Sequence, residues 1–183
     1  MRQISGRPKK CAQCKKHFVP ERPFQPCCSV PCAILYARSN NEKEQKAINK
    51  ERRENLKTKA DWLKEAQQWF NAWVRERDAE LPCISCGRHH KGQYHAGHYR
   101  TVGAHPALRF NPDNVHKQCS ACNEHLSGNI VEYRKGLLAK IGAERLENLE
   151  QDHPPLKLSI EEIKAIKLNY RRLVVEMRKA RQS

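Results

Sequence analysis

The sequence predicts a metal-stabilised α+β protein assembled from small modules, and three observations lead there. Of 183 residues only 38% are hydrophobic while 30% are charged, so apolar burial alone makes a thin core. Nine cysteines occur mostly in metal-site spacings. Between Cys32 and Pro82 there is neither Gly nor Pro, and good helix formers dominate.

The odd cysteine number, and the lack of an apolar run after Met1-Arg2-Gln3, favour reduced thiols in a cytosol over a secreted disulfide scaffold. No stretch approaches the ~20 apolar residues of a membrane helix, so a soluble protein is expected, with no membrane partner. A net charge of +15 and a pI near 9.6 attract polyanions, and DNA or RNA is the expected partner. Ribosome-associated and membrane-surface proteins share this composition, so charge alone assigns no reaction.

Residues 1–32 read as an N-terminal zinc knuckle. Cys11-Ala-Gln-Cys14 and Cys28-Ser-Val-Pro-Cys32 supply four thiolates for a tetrahedral ion, with Cys27 as the alternative register to Cys28. Residues 33–81 read as a helical connector, either one long helix or two abutting ones. Its first half, around Glu42 to Lys59, is charged on nearly every side and reads as solvated, with a basic surface along DNA as the competing use. Its second half carries Trp62, Leu63, Ala66, Trp69, Phe70 and Trp73 at helical spacing, a stripe expected to pack as core. The same helix could also self-pair into a homodimer.

Residues 82–150 hold the densest cluster of candidate ligands. Cys83-Ile-Ser-Cys86 and Cys119-Ser-Ala-Cys122 enclose thirty-two residues and can close on one zinc. With four cysteines filling its shell, that zinc is structural. A helical stretch runs from Asn129 to about Leu149, until Asp152-His153-Pro154-Pro155 breaks it. Residues 151–183 then form a C-terminal basic helix, opened by Ser159 and Glu162 in capping-box spacing. Its apolar side implies docking, and its end (Arg171, Arg172, Arg178, Lys179, Arg181) is either a DNA contact or a solvated charged face.

Between the paired knuckles lie Tyr94-His95-Ala96-Gly97-His98-Tyr99-Arg100 and Phe110-Asn111-Pro112-Asp113-Asn114-Val115-His116, with Asn123-Glu124-His125 just after. Phosphodiester hydrolysis needs a base for water and a cation for the leaving oxygen. Imidazole supplies the first near neutral pH, and a hard divalent ion on oxygen and nitrogen ligands supplies the second. Any one of these histidines alone would more ordinarily stabilise the zinc fold.

A His ending a short hairpin, an Asn in the following loop and a ligand on a helix behind CxxC resemble the layout of HNH, or ββα-metal, nucleases. Cys122-Asn123 is similar to the Cys-Asn junction of the phage endonuclease VII group. The run HAGHYRTVGAHPALRFNPDNVHKQCSACNEHLSGN, with the upstream CxxC and the N-terminal knuckle, resembles the lambdoid phage NinG (Rap) recombination nuclease family over most of the chain.

The resemblance implies a zinc-stabilised HNH-like core in residues 82–150. It further implies a metal-dependent DNA endonuclease of the bacterial host cytoplasm, cutting branched recombination intermediates such as D-loops and Holliday junctions. Within it His98 matches the general base, Asn114 the Asn that orients the base-bearing hairpin, and Asn123 the helix ligand of a catalytic Mg²⁺ or Mn²⁺. The sequence departs from many HNH enzymes at Gly97, where an acidic ligand usually precedes the base. His95 is the nearest replacement, with His116 and His125 as fallback ligands. Arg100 or Arg109 would clamp the phosphate. The bare Gly97 favours a competing expectation, a non-catalytic zinc-finger nucleic-acid-binding protein, and a sequence-specific HNH nuclease is a third.

Overall fold

The computed structural model describes residues 7–182 and is mixed α+β; residues 1–6 of the N-terminal 1–32 stretch lie outside the described residues. The chain divides into two compact units at Lys57/Thr58, inside the 33–81 stretch that the sequence reads as connector. The cause is local. Helix α1, Val30–Asn55, stops at Leu56, and α2, Lys59–Arg77, starts afresh behind Thr58. The Asp61 carboxylate accepts from the Thr58 backbone N–H at 2.9 Å, while the Thr58 hydroxyl accepts from the Asp61 N–H at 3.2 Å. This capping box satisfies N–H groups that a helix start leaves without partners.

In the first unit, strands β1 (Lys9–Lys10) and β2 (His17–Phe18) pair antiparallel, with Lys9 opposite Phe18. The turn between them carries Cys11 and Cys14, and Lys15 adopts φ 63° to close it. Cys28 precedes α1 and Cys32 lies in its first turn, where the Ser29 hydroxyl caps the Cys32 N–H. Cys11, Cys14, Cys28 and Cys32 bring their sulfurs within 4.8 Å of one another, so the register runs through Cys28. Helix α1 buries none of its residues, as its charge pattern predicts.

In the second unit α2 buries Trp62, Ala66, Phe70 and Val74, one residue per turn. The upper pair packs on Ile163 of α5 (Ile160–Ala180) and the lower pair on Val115. Phe70 meets Phe110 and Tyr170 edge-on, at centroid distances of 5.7 and 4.9 Å. The aromatic stripe is therefore core. Strand β3 (Tyr94–His98) pairs antiparallel with β4 (Val115–Cys119), His98 opposite Val115 and His95 opposite Gln118. A short π-helical turn, Ala121–His125, follows, closed by the Leu126 N–H on the Ala121 carbonyl.

The helical stretch expected from Asn129 to Leu149 divides into α3 (Ile130–Ile141) and α4 (Ala143–Glu150), because Gly142 takes φ 83° between them. Tyr133, Leu137, Leu146 and Leu149 then fold back on Tyr99 and Leu108. Helix α5 opens with the predicted Ser159–Glu162 capping box. No described helix is long and apolar enough to cross a membrane.

The sulfurs of Cys83, Cys86, Cys119 and Cys122 also lie within 4.8 Å of one another, making two four-cysteine clusters among the described residues, both consistent with structural zinc. Burial opposes ionisation of Cys83, yet the backbone N–H groups of Cys86, Cys119 and Ser85 outweigh it and lower the thiol pKa.

Beside this cluster Asp78, 2% exposed, joins three elements. Its carboxylate accepts from Arg77 at the end of α2, from the Lys117 N–H of β4 and from Lys140 of α3. Burial alone would raise its pKa, but the side chains of His116, Arg77 and Lys140 reverse this and hold the carboxyl well below the usual carboxylate range.

Purified protein should carry two zinc ions per chain by elemental analysis, and a strong chelator should unfold it, because such modules draw folding energy from metal. One ion or none would refute the two-site arrangement. Asp78→Ala should cost about 3–5 kcal/mol in urea denaturation, since it strands buried cations. A depressed carboxyl stabilises above its unfolded pKa of about 3.9 and loses that contribution as pH falls through the folded value. Wild-type stability should therefore drop on acidification below about pH 4, and the Asp78→Ala variant should lack this component.

Candidate functional site

His98 is the last residue of β3, and its position is set by the backbone around it. Asn114, fully buried, accepts from the Arg100 N–H at 2.8 Å and donates to the Arg100 and Leu108 carbonyls at 3.0 and 3.2 Å. The Tyr99 N–H binds the Asn114 carbonyl at 2.8 Å. On the other side the Tyr133 hydroxyl donates to the Gly97 carbonyl at 2.7 Å. The residues either side of His98 are thus pinned.

The His98 ring has its Nε2 3.4 Å from the Arg109 carbonyl. A carbonyl only accepts, so this contact favours the neutral tautomer with its proton on Nε2, which puts the basic lone pair on Nδ1. Burial lowers the His98 pKa, the nearby Arg109 charge adding to this and hydrogen bonds to the Arg109 and Ala96 backbones opposing it. The ring is therefore neutral, and able to take a proton, at pH 7.

His98 shares a cleft of about 450 Å³ with Asn123 of the π-turn, together with Ala96, Thr101, Val102 and Ser127. Asn123 follows Cys122 directly, so the four-sulfur cluster fixes the turn that presents it. A Cβ placed on Gly97 would lie 3.1 Å from Asn123 Oδ1 and would overlap Gln118 Oε1, so a side chain at 97 would have to displace the Gln118 amide. Among the described residues Gln118 Oε1 is buried with no hydrogen-bond partner. An amide oxygen at the cleft and an orphaned buried oxygen behind it are donors suited to a hard divalent cation. The residues present fit such an ion.

The other predicted residues are spread more widely. His95 does not line the cleft; its Nε2 lies 3.1 Å from Ser120 Oγ and 3.2 Å from Glu124 Oε1. His116 is buried, with Nε2 on the Asp113 carbonyl at 3.0 Å and Nδ1 2.9 Å from both Arg77 and Lys140. Both its nitrogens are used, so it has no lone pair to offer a cation. His125 is exposed on the π-turn.

Arg100 reaches the Glu150 carbonyl at 3.1 Å, and Arg109 lines a separate depression along α2 with Leu63 and Asn71. On α5, Arg171 lies over the Trp69 ring at 5.7 Å, Arg172 pairs with Glu176, and Arg178 binds Glu76 at 2.7 Å. Lys179 lies in the last turn of α5. Sequence reasoning missed Gln118. Nothing in the sequence marked it, because its place on the same hairpin face as the bare Gly97 is set by strand register.

Comparison with known proteins matches residues 5–180 to the family described as bacteriophage lambda NinG protein. Protein ninG of Escherichia phage lambda is 41% identical over 187 residues, covering 92% of each chain. Protein ninG of Salmonella phage P22 is 40% identical over 190 residues, covering 94% of each. No solved structure matches. With nearly the whole chain matched, and at this identity, the chain belongs to the NinG protein family of lambdoid phages.

Proposed function

We propose that this chain is a metal-dependent DNA endonuclease of HNH type, selective for branched recombination intermediates. The observation that carries it is the shared cleft of His98 and Asn123, with a His98 ring that burial keeps neutral. The succession of β3, β4 and a helical turn anchored by CxxC supports the same reading.

In the reaction, water gives a proton to His98 Nδ1 and attacks phosphorus. The bond to the 3′ oxygen breaks, and that oxygen leaves and is protonated from solvent. Asn123 would hold the Mg²⁺ or Mn²⁺, which when bound offsets charge on the phosphate and leaving oxygen. Asn114 and Tyr133 keep the base-bearing strand end in place, so that the ring need not reorganise during attack.

His98→Ala should abolish nicking of plasmid DNA in Mn²⁺ while leaving binding nearly intact, because phosphate contacts dominate affinity. Wild-type rate from His98→Ala would place the chemistry elsewhere, and a wild type that binds but never nicks would favour the non-catalytic zinc-finger reading. The pH profile gives a second check. A buried imidazole resists protonation, so the rate should rise with pH through an inflection below the ordinary histidine value of about 6.5.

Branch selectivity rests on family resemblance and on charge in each unit, with Lys9 and Lys10 in the first and Arg171 and Arg172 in the second. Two basic units on one chain engage two DNA arms with avidity that a single duplex cannot elicit. Holliday junctions should therefore compete better than linear duplex of equal length across a salt series. Equal competition would leave a nuclease without branch preference.

A further inference from the structure

We infer that Gln118 Oε1 is the cation ligand that takes the place of the missing side chain at Gly97, acting beside Asn123 Oδ1. The inference rests on the nuclease reading above and deepens it. Register sets His95 opposite Gln118 and Gly97 opposite His116, so these four residues share one face of the hairpin. On that face Gly97 has no Cβ, and the Gln118 carboxamide occupies the space where one would be.

The orientation of the amide is determined. Gln118 Nε2 donates to Ser85 Oγ at 2.7 Å and to the Gly128 carbonyl at 2.5 Å, which uses both of its hydrogens. Both partners fit a donor, so nitrogen faces them and oxygen faces Gly97. Gln118 is 1% exposed, yet among the described residues Oε1 has no partner. Buried amide oxygens are ordinarily satisfied, and an unsatisfied one costs stability unless a ligand completes it.

What lies around the orphan oxygen identifies the ligand. The same Gly97 position is 3.1 Å from Asn123 Oδ1, so two neutral carbonyl-type oxygens converge on one glycine. Gly97 stands between Ala96 and His98, both on the wall of the cleft that Asn123 also lines. Two amide oxygens beside one glycine suit a hard divalent cation, which retains water and phosphate oxygens for its remaining positions. Gly97 is then a requirement of the site, since any side chain there would displace the amide. His95, engaged with Ser120 and Glu124, is not needed.

The test is Mn²⁺ binding to the full zinc-loaded chain without DNA, read from the free-ion electron paramagnetic resonance signal. Zinc content and circular dichroism report folding. Asn123→Ala and Gln118→Met should each weaken Mn²⁺ at least ~10-fold, as loss of a group on a metal site does. Gln118→Glu, which keeps an oxygen and adds charge, should bind at least as tightly as wild type. Gly97→Ala should weaken binding from the opposite strand.

Wild-type affinity in both Gln118→Met and Gly97→Ala would overturn the inference. If Gln118→Met loses its zinc, Gln118→Glu decides: retained or tighter binding supports the ligand role, and ~10-fold weakening with zinc retained overturns it. Should Asn123→Ala lose both Mn²⁺ and nicking while the Gln118 variants bind normally, the nuclease reading stands and Gln118 is only a structural anchor. A wild type that neither binds Mn²⁺ nor nicks DNA removes both.

Discussion

The convergence of four thiols, from Cys83, Cys86, Cys119 and Cys122, is the constraint on which the second unit depends. It ties a loop before β3 to the end of β4 and to the turn beyond it. Two elements of the candidate site are attached to it: Cys119 ends the strand that holds Gln118, and Cys122 precedes Asn123. The sulfurs also serve as hydrogen-bond acceptors, from the Cys119 N–H to Cys83 at 3.4 Å and from Asn129 to Cys122 at 3.5 Å. A chain with so little apolar content needs such a clamp, because its core is divided into small clusters that bury only a few side chains each.

Directional polar contacts complete what the apolar clusters leave open. Strand β4 is buried along its whole length although its sequence is Val-His-Lys-Gln-Cys, and its polar members have named partners, the Gln118 oxygen excepted. Lys117 donates to the Ala79 carbonyl at 2.7 Å and its N–H binds Asp78, while His116 fills the space between Arg77 and Lys140. Tyr133, 0% exposed, accepts from the His116 N–H and donates to the Gly97 carbonyl, stitching α3 to both strands at once. Satisfied networks of this kind specify one arrangement where a small apolar core would tolerate several.

The net charge of +15 is not all available to a polyanion. Arg178 and Arg181 are bound to Glu76, Arg134 to Glu150 and Arg145 to Asp113, so several cations hold the fold together. The basic end of α5 is partly a brace between two helices, and the stem and guanidinium of Arg171 cover Trp69. Arg109 contributes its carbonyl to His98 and also lines a depression along α2.

Much of this was legible in one dimension, wherever the cause is local. Tetrahedral thiolate coordination demands short paired spacings, so both cysteine clusters could be read directly, including the choice of Cys28. Helical periodicity revealed the core stripe of α2, and a Ser-x-x-Glu box the start of α5. The likeness of the His98 to Asn123 run to a known family followed from contiguous motifs. Tertiary structure decided what depends on pairing between distant strands. Register put Gln118 on the same face of the hairpin as the bare Gly97, with its oxygen oriented through Ser85 and Gly128, drew His116 into the Asp78 network and left His95 with Glu124. None of these follows from spacing, because a side chain's partner across a hairpin is set by which residues the folded strands bring face to face.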